Sequence, residues 1–267
     1  MIILAIESRF SRRFARQLQG QIPGQLTKRF AAAALACLGG LICTAAWAQS
    51  SCSSDGQRAP TGLVERFISA DCGTCWADPA STRPGPHRLA LDWIVPTPRG
   101  DHAPLSAGAS RDAVQRLEAL SQAPPGSTKT KTVTRTVQQG GFKLRVARGV
   151  ALGGYMGASI ELTARRGTPL PHQPLTAWLL LVEDIPAGTD GTPVPRMLVR
   201  NAITPKWNIN SSLSNSKQPT GRDTKRLYES RPMSIPDGAN PERLRVVGWV
   251  EDPRGRVIAS AASVCEK

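Results

Sequence analysis

Histidine and aromatic residues are scarce in this chain, with three His, two Tyr and five Phe among 267 positions. No H-x-x-H pair and no multi-cysteine zinc spacing occurs, which removes the usual catalytic and structural zinc patterns. G-x-S-x-G is absent as well, and no Ser-His-Asp arrangement can be assembled. The pairs Gly140-Gly141 and Gly153-Gly154 lie in strand-like surroundings and lack the following helix that a phosphate loop needs. No internal repeat is visible, and no cofactor is expected.

Acidic residues are also in deficit: 34 Lys and Arg face 20 Asp and Glu, a formal net charge of +14. Part of that excess belongs to an export signal. Lys28 and Arg29 precede an uncharged run from Phe30 to Ala46 that closes on Ala46-Trp47-Ala48, a small-x-small site. Together these read as a secretory signal cleaved near Ala48. The run is too short and too rich in Gly and Ala for a membrane span, which needs about 20 strongly apolar residues. Ahead of it lies a long preface carrying Arg9, Arg12, Arg13 and Arg16. Residues 1–48 hold six Lys/Arg and one Glu, so their removal leaves 28 basic and 19 acidic residues, a net +9. The expected location is periplasmic or secreted, without a stable membrane span after cleavage. The remaining positive charge is dispersed, and Lys129/Lys131, Arg165/Arg166 and Lys225/Arg226 are its densest pairs. Nucleic-acid binders concentrate charge on one face or in a recognisable module, so nucleic acid is not expected as a partner. A solvated basic surface, or weak attraction to anionic lipids or cell-wall polymers, fits better.

Cleavage reduces six cysteines to four: Cys52, Cys72, Cys75 and Cys265. An even number in an oxidising compartment favours disulfides. Cys72 and Cys75 are close enough to pair with each other, which leaves Cys52 and Cys265 to tie the two ends of the mature chain together. In the chain-entropy view so long a loop contributes about 4–5 kcal/mol. The alternative has Cys52 exchanging with the Cys72/Cys75 pair.

Along the mature chain, residues 49–61 read as a Ser-, Gly- and Pro-rich tether. Leu63 to Ile68 and Arg88 to Val95 read as strands, and Ser106 to Gln122 has apolar residues at helical spacing, with Ser106 or Ser110 as N-cap and Pro124-Pro125 as a stop. After Gly126 the pattern is β. Thr130 to Val137 alternates, Gln139-Gly140-Gly141 turns, and Phe142 to Val150 pairs back. Further strands are expected at 158–164, 175–183, 196–204, 243–251 and 256–264, with 208–241 as a long loop. Trp178, Trp207 and Trp249 sit in or beside these strands and read as core. The expectation is one unit over residues 62–267, with an α/β start (62–125) and a β-rich remainder (126–267).

The chemistry-bearing motif is Cys72-Gly73-Thr74-Cys75, placed where a strand gives way to a helix. Unpaired backbone N–H groups there stabilise a thiolate, so Cys72 would attack and Cys75 would resolve the mixed disulfide. Asp71 and Asp78 flank the motif, and their charge opposes a thiolate. Glu65 and Asp92 are candidate supporting acids, read as a partly buried pair beneath the motif. Pro79, Pro84 and Pro86 allow only about a turn of helix after Cys75. The run from Val64 to Cys75 resembles the V-E-L-F-T-S-Q-G-C-S-S-C segment of an uncharacterised family of secreted bacterial thioredoxin-like proteins. Val64, Glu65, Phe67, Ser69 and both cysteines fall in register. Trp76-Ala77-Asp78-Pro79-Ala80 is similar to that family's P-P-A-D-A, and Ala90-Leu91-Asp92-Trp93 to its H-V-D-Y. The match is specific over about residues 62–93 and loose beyond. It implies an α/β to α+β fold, a thioredoxin-like core with an appended β-rich C-terminal part.

Three functions follow as expectations. The first is thiol–disulfide exchange through Cys72 and Cys75, with a thiol substrate or an envelope protein as partner. The second is a non-catalytic envelope binding protein held by two structural disulfides. The third is Cu(I) binding through the CxxC, with His87 as a conceivable third ligand. His102 and His172 read as solvated.

Overall fold

The computed structural model describes residues 52–138, 140–208 and 226–265; the expected export signal and Gln139 lie outside them. Strands dominate. β1 (Cys52–Ser53), β2 (Gly62–Ser69), β3 (Arg88–Val95), β4 (Thr130–Thr136), β5 (Phe142–Leu152) and β6 (Tyr155–Ala164) are followed by β7 (Leu175–Ile185), β8 (Arg196–Ile203) and β9 (Lys206–Trp207). Then come β10 (Arg226–Ser234), β11 (Leu244–Glu251), β12 (Val257–Ala262) and β13 (Val264–Cys265). The α-helices among the described residues are short: α1 (Gly73–Trp76) and α2 (Arg111–Ala119).

One sheet has the order β12-β11-β7-β8-β3-β2-β4, with β9 beside β7; the other is β10-β6-β5-β1-β13. β2, β3 and β8 run parallel, and the other pairings are antiparallel. This overturns the expected α/β to α+β fold with a thioredoxin-like core and a separate β appendix. Strands of the expected first part (β2, β3) and of the second (β4, β7, β8, β11, β12) form one continuous sheet. A second sheet, rather than a layer of helices, covers half of it. The physical reason is visible at 79–86, where the prolines end α1 after a single turn and leave only α2 to act as a helical cover.

β7 explains the layering. Its run Leu175–Ile185 is apolar almost throughout, the pattern of a strand covered on both faces. Ala177, Leu179 and Leu181 face the second sheet, where they meet Val146 of β5 and Ile160 of β6, with Val246 of the adjacent β11 on the same face. Trp178, Leu180 and Val182 face the other way, joining Phe67, Trp93, Trp249 and the α2 residues Ala113 and Leu117. Trp178 and Trp249 are register partners on β7 and β11, and their rings stack 5.8 Å apart; Phe67 and Trp93 do the same across β2 and β3 at 6.0 Å. A third, smaller cluster gathers Ile68, Ile94, Ile185 and Leu198 around Cys72 and Trp76.

Beneath α2 lies a buried charge box. The Arg116 guanidinium donates to Glu65 at 2.7 and 2.9 Å and to Glu251 at 2.8 Å, while Arg135 reaches both carboxylates at 2.6 Å. Trp249 Nε1 donates to Glu251 at 2.7 Å, and the Arg116 guanidinium lies 4.3 Å from the Trp178 ring centre. Two cations against two anions leave no net buried charge.

Several local expectations are corrected. Of the expected tether 49–61, the described part from Cys52 on is not free, because Cys52 is fully buried and β1 pairs with both β13 and β5. β4 and β5 do not form a hairpin: β4 pairs with β2 and β5 with β6, in different sheets. The supposed loop 208–241 contains β10, which pairs with β6 along its length, while 209–225 lie outside the described residues. The helix is confined to Arg111–Ala119, capped by Ser110 Oγ accepting from Ala113 N at 3.3 Å.

Two measurements test this packing. Arg116→Met removes the donor shared by Glu65 and Glu251, leaving carboxylates buried without it; urea denaturation is expected to show a loss of about 3–5 kcal/mol. Gly248 on β11 has no room for a side chain, since a Cβ there would stand 2.9 Å from the Trp178 carbonyl oxygen and 2.9 Å from Ile160 Cδ1. Gly248→Ala should cost about 1–3 kcal/mol in the same assay, and an unchanged midpoint would contradict the close approach of the two sheets.

Candidate functional site

The site starts at the C-terminal end of β2. Ala70 N donates to Val95 O and Leu105 N to Ala70 O, so the strand exit is held from both sides. Cys72 then serves as the N-cap of α1, and a Cys72–Cys75 disulfide closes over the turn. A second disulfide joins Cys52 to Cys265, directly opposed on β1 and β13. Both cysteine pairs are thus disulfides, which is compatible with an exported protein. Among the described residues, no helix is long and apolar enough to cross a membrane.

The two sulfurs of the motif are not equivalent. Cys72 is only 2% exposed, whereas Cys75 is half-buried. Cys72 Sγ accepts from Cys75 N at 3.2 Å. It also lies 3.5 Å from Thr74 Oγ1, and because a disulfide sulfur carries no hydrogen the hydroxyl is the donor. Cys75 is thus the more accessible residue of the two, while Cys72 is the one whose sulfur is provided with donors. The flanking acids are engaged elsewhere. Asp71 Oδ1 accepts from Thr97 Oγ1 at 3.1 Å and lies 3.7 Å from Arg99 Nε, while Asp78 Oδ1 accepts from Ala80 N at 2.9 Å.

Trp76 and Arg196 fix the turn from below. Trp76 Nε1 donates to Asp190 O at 2.7 Å. The fully buried Arg196 guanidinium lies 4.9 Å from the Trp76 ring centre and donates to the carbonyl oxygens of Trp76 and Asp78 and, at 2.9 Å, to Thr192 Oγ1. A cation thus sits on the last carbonyls of α1, where the backbone presents negative potential. Beside the disulfide, a cavity of about 230 Å³ opens between Trp76, Ile94, Leu105, Ile185 and Leu198, with Asp190 and Arg200 on its polar side.

Glu65 and Asp92, expected as an acidic pair, do not meet. β2 and β3 are paired so that Glu65 aligns with Leu91 and Arg66 with Asp92, which puts the two acids on opposite faces of the sheet. Glu65 belongs to the charge box under α2. Asp92 forms a buried ion pair with Arg66 and lies 3.8 Å from Arg196 Nη1. Sequence reading missed Arg66, Arg116, Arg135 and Arg196. Arg66, next to Glu65 in a strand of mostly apolar residues, was the available signal. His87 is also apart from the CxxC: it precedes β3 at the end of the sheet where β2 begins, an eight-residue strand or about 25 Å from the motif. Among the described residues, no group of three or more His, Cys, Asp and Glu could hold a metal ion.

No family model matches the chain, nor does any curated protein. Among solved structures, HBP35 of Porphyromonas gingivalis is similar at 10% identity and a TM-score of 0.42, covering 79% of this chain and 76% of that one. So distant a likeness carries nothing over to this chain.

Burial pushes the Asp92 carboxyl up to about 6 from an ordinary 3.8, against the pull of Arg66 and Arg196. The folded state then binds this proton more tightly than the unfolded chain does. The stabilisation is complete below about pH 4 and is lost as pH rises through about 6. Asp92→Asn mimics the protonated form. The stability difference between variant and wild type should therefore move by up to about 3 kcal/mol in the variant's favour between pH 4 and pH 7. A pH-independent difference in urea denaturation would remove Asp92 from this role.

Proposed function

We propose that this is an exported thiol–disulfide exchange protein that acts through the Cys72–Cys75 disulfide and presents Cys75 to the substrate. The asymmetry of the two sulfurs supports this reading. A thiolate on a substrate attacks the half-exposed Cys75 Sγ, forming a mixed disulfide and breaking the Cys75–Cys72 bond. The electron pair passes to Cys72 Sγ, where Cys75 N–H and the Thr74 hydroxyl are already in place to stabilise a thiolate. A better-stabilised leaving sulfur leaves faster. A second substrate thiolate then attacks the substrate sulfur of the mixed disulfide. The substrate leaves as a disulfide and the protein is left as a dithiol, so two electrons move from substrate to protein. Arg196 and Trp76 keep the turn in one geometry throughout.

The burial of Cys72 favours a second reading, a structural disulfide in a non-catalytic envelope protein, and the same experiment separates the two. In the Cys72→Ser variant, Cys75 remains and cannot be displaced, so a thiol peptide activated as a mixed disulfide should be captured and retained. Cys75→Ser leaves only the covered sulfur and should capture at least about tenfold more slowly. The reduction potential of the wild-type pair should fall near that of the glutathione pool, and Thr74→Val should lower it by weakening the Cys72 thiolate. A potential below about −300 mV, together with no capture by Cys72→Ser, would establish the structural reading instead.

A further inference from the structure

At the end of the eight-stranded sheet remote from the disulfide, the chain between α1 and β3 folds back as a proline-rich segment. Its last residues form a tight turn, with Gly85 and Arg88 exchanging backbone hydrogen bonds at 3.1 Å. His87 O accepts from the backbone N–H groups of Thr61 and Gly62 at 2.8 and 3.0 Å, which locks the turn to the start of β2. Pro79, Pro84 and Pro86 stiffen it further. Cavities of about 710 and 510 Å³ open at this turn and share Pro84 to Arg88 as a common wall.

The charges in this cleft are of one sign. Arg58, Arg83 and Arg88 are exposed, Arg245 lines the inner side, and no Asp or Glu contributes to either cavity. Most arginines among the described residues are matched to carboxylates, including Arg66, Arg116, Arg135, Arg196, Arg200 and Arg245. Arg58, Arg83 and Arg88 have no such partner among the described residues. Three guanidiniums without carboxylate partners, from two different loops and a strand start, line recesses that share the Pro84–Arg88 wall and offer charge-assisted donors to anions. Ser81 and Thr82 add hydroxyls to the same wall. No Trp, Tyr or Phe lines either cavity, so the base-stacking platform that single-stranded nucleic acids require is missing.

We propose that this cleft binds a polyanionic glycan, a sugar chain whose sulfate, phosphate or carboxylate groups engage Arg58, Arg83 and Arg88 on both sides of the Pro84–Arg88 turn. A chain fits better than a single ion because the two recesses are separate and their cations come from different segments. The surplus of positive charge over the whole molecule, +9 once residues 1–48 are set aside, steers such ligands toward it.

A heparin-derived octasaccharide provides the test probe, titrated calorimetrically at about 0.15 M salt. The wild-type protein should bind it saturably. The triple variant Arg58→Ala, Arg83→Ala, Arg88→Ala should bind at least about tenfold more weakly, with a shallower dependence of log K on log salt. A control triple that removes the same charge elsewhere, Arg111→Ala, Lys129→Ala, Arg254→Ala, should change affinity less than about twofold. Equal losses in the two triples would reduce the effect to net charge and overturn the proposal. So would binding to phosphatidylglycerol vesicles without binding to the octasaccharide, which would assign the arginines to a lipid headgroup. None of these substitutions touches the disulfide, so thiol exchange can be followed in the same variants and judged independently.

Discussion

Two neighbouring residues on β2 hold charges that the fold buries on opposite faces of one strand, and much of the molecule is arranged to neutralise them. Glu65 points beneath α2, where Arg116, Arg135 and Glu251 complete a neutral box drawn from a helix and two other strands. Arg66 points to the other face, where Asp92 and then Arg196 continue the sequence of alternating charge toward α1. A buried charge without a partner costs several kcal/mol, so each face of β2 specifies which elements must lie against it. The helix could not dock in another register without stranding Glu65. The disulfide turn could not leave its place without exposing the arginine that holds its carbonyls.

This accounting clarifies what could be read from the sequence. Strand positions were legible because alternation and apolar runs report burial directly: β2, β3, β7 and β11 fall within a residue or two of where the pattern puts them. The single-turn α1 was legible from its prolines, and the disulfide pairing from the number and placement of cysteines. Architecture was not. Whether Phe142 pairs with the strand before it or leaves for a second sheet depends on long-range choices that local periodicity does not encode. β10 escaped notice because Arg226–Ser234 is an edge strand, polar on its outer face and interrupted by Pro232.

The candidate site shows the same division. Its cysteines were legible and their chemistry was not, because which sulfur is covered depends on Ile68, Ile94 and Leu198, residues that look like ordinary core in the sequence. Glu65 and Asp92 were rightly marked as buried acids, yet the parity of two strands in register separates them by the thickness of the sheet. Asp92 is left with two arginines and no second acid. That local surplus of positive charge, a few residues from the disulfide in the fold, would favour the Cys72 thiolate on which the proposed exchange rests.

The pairing of β1 with β13 imposes an order of events on the chain. The first described strand and the last lie side by side, with Cys52 against Cys265, 213 positions apart in sequence. The five-stranded sheet therefore stays open on one side of β1 until β13 has docked beside it. Contacts of such separation form slowly. The bridge that fastens β1 to β13 is accordingly a late event in folding, made only after the chain between its two cysteines has found its place.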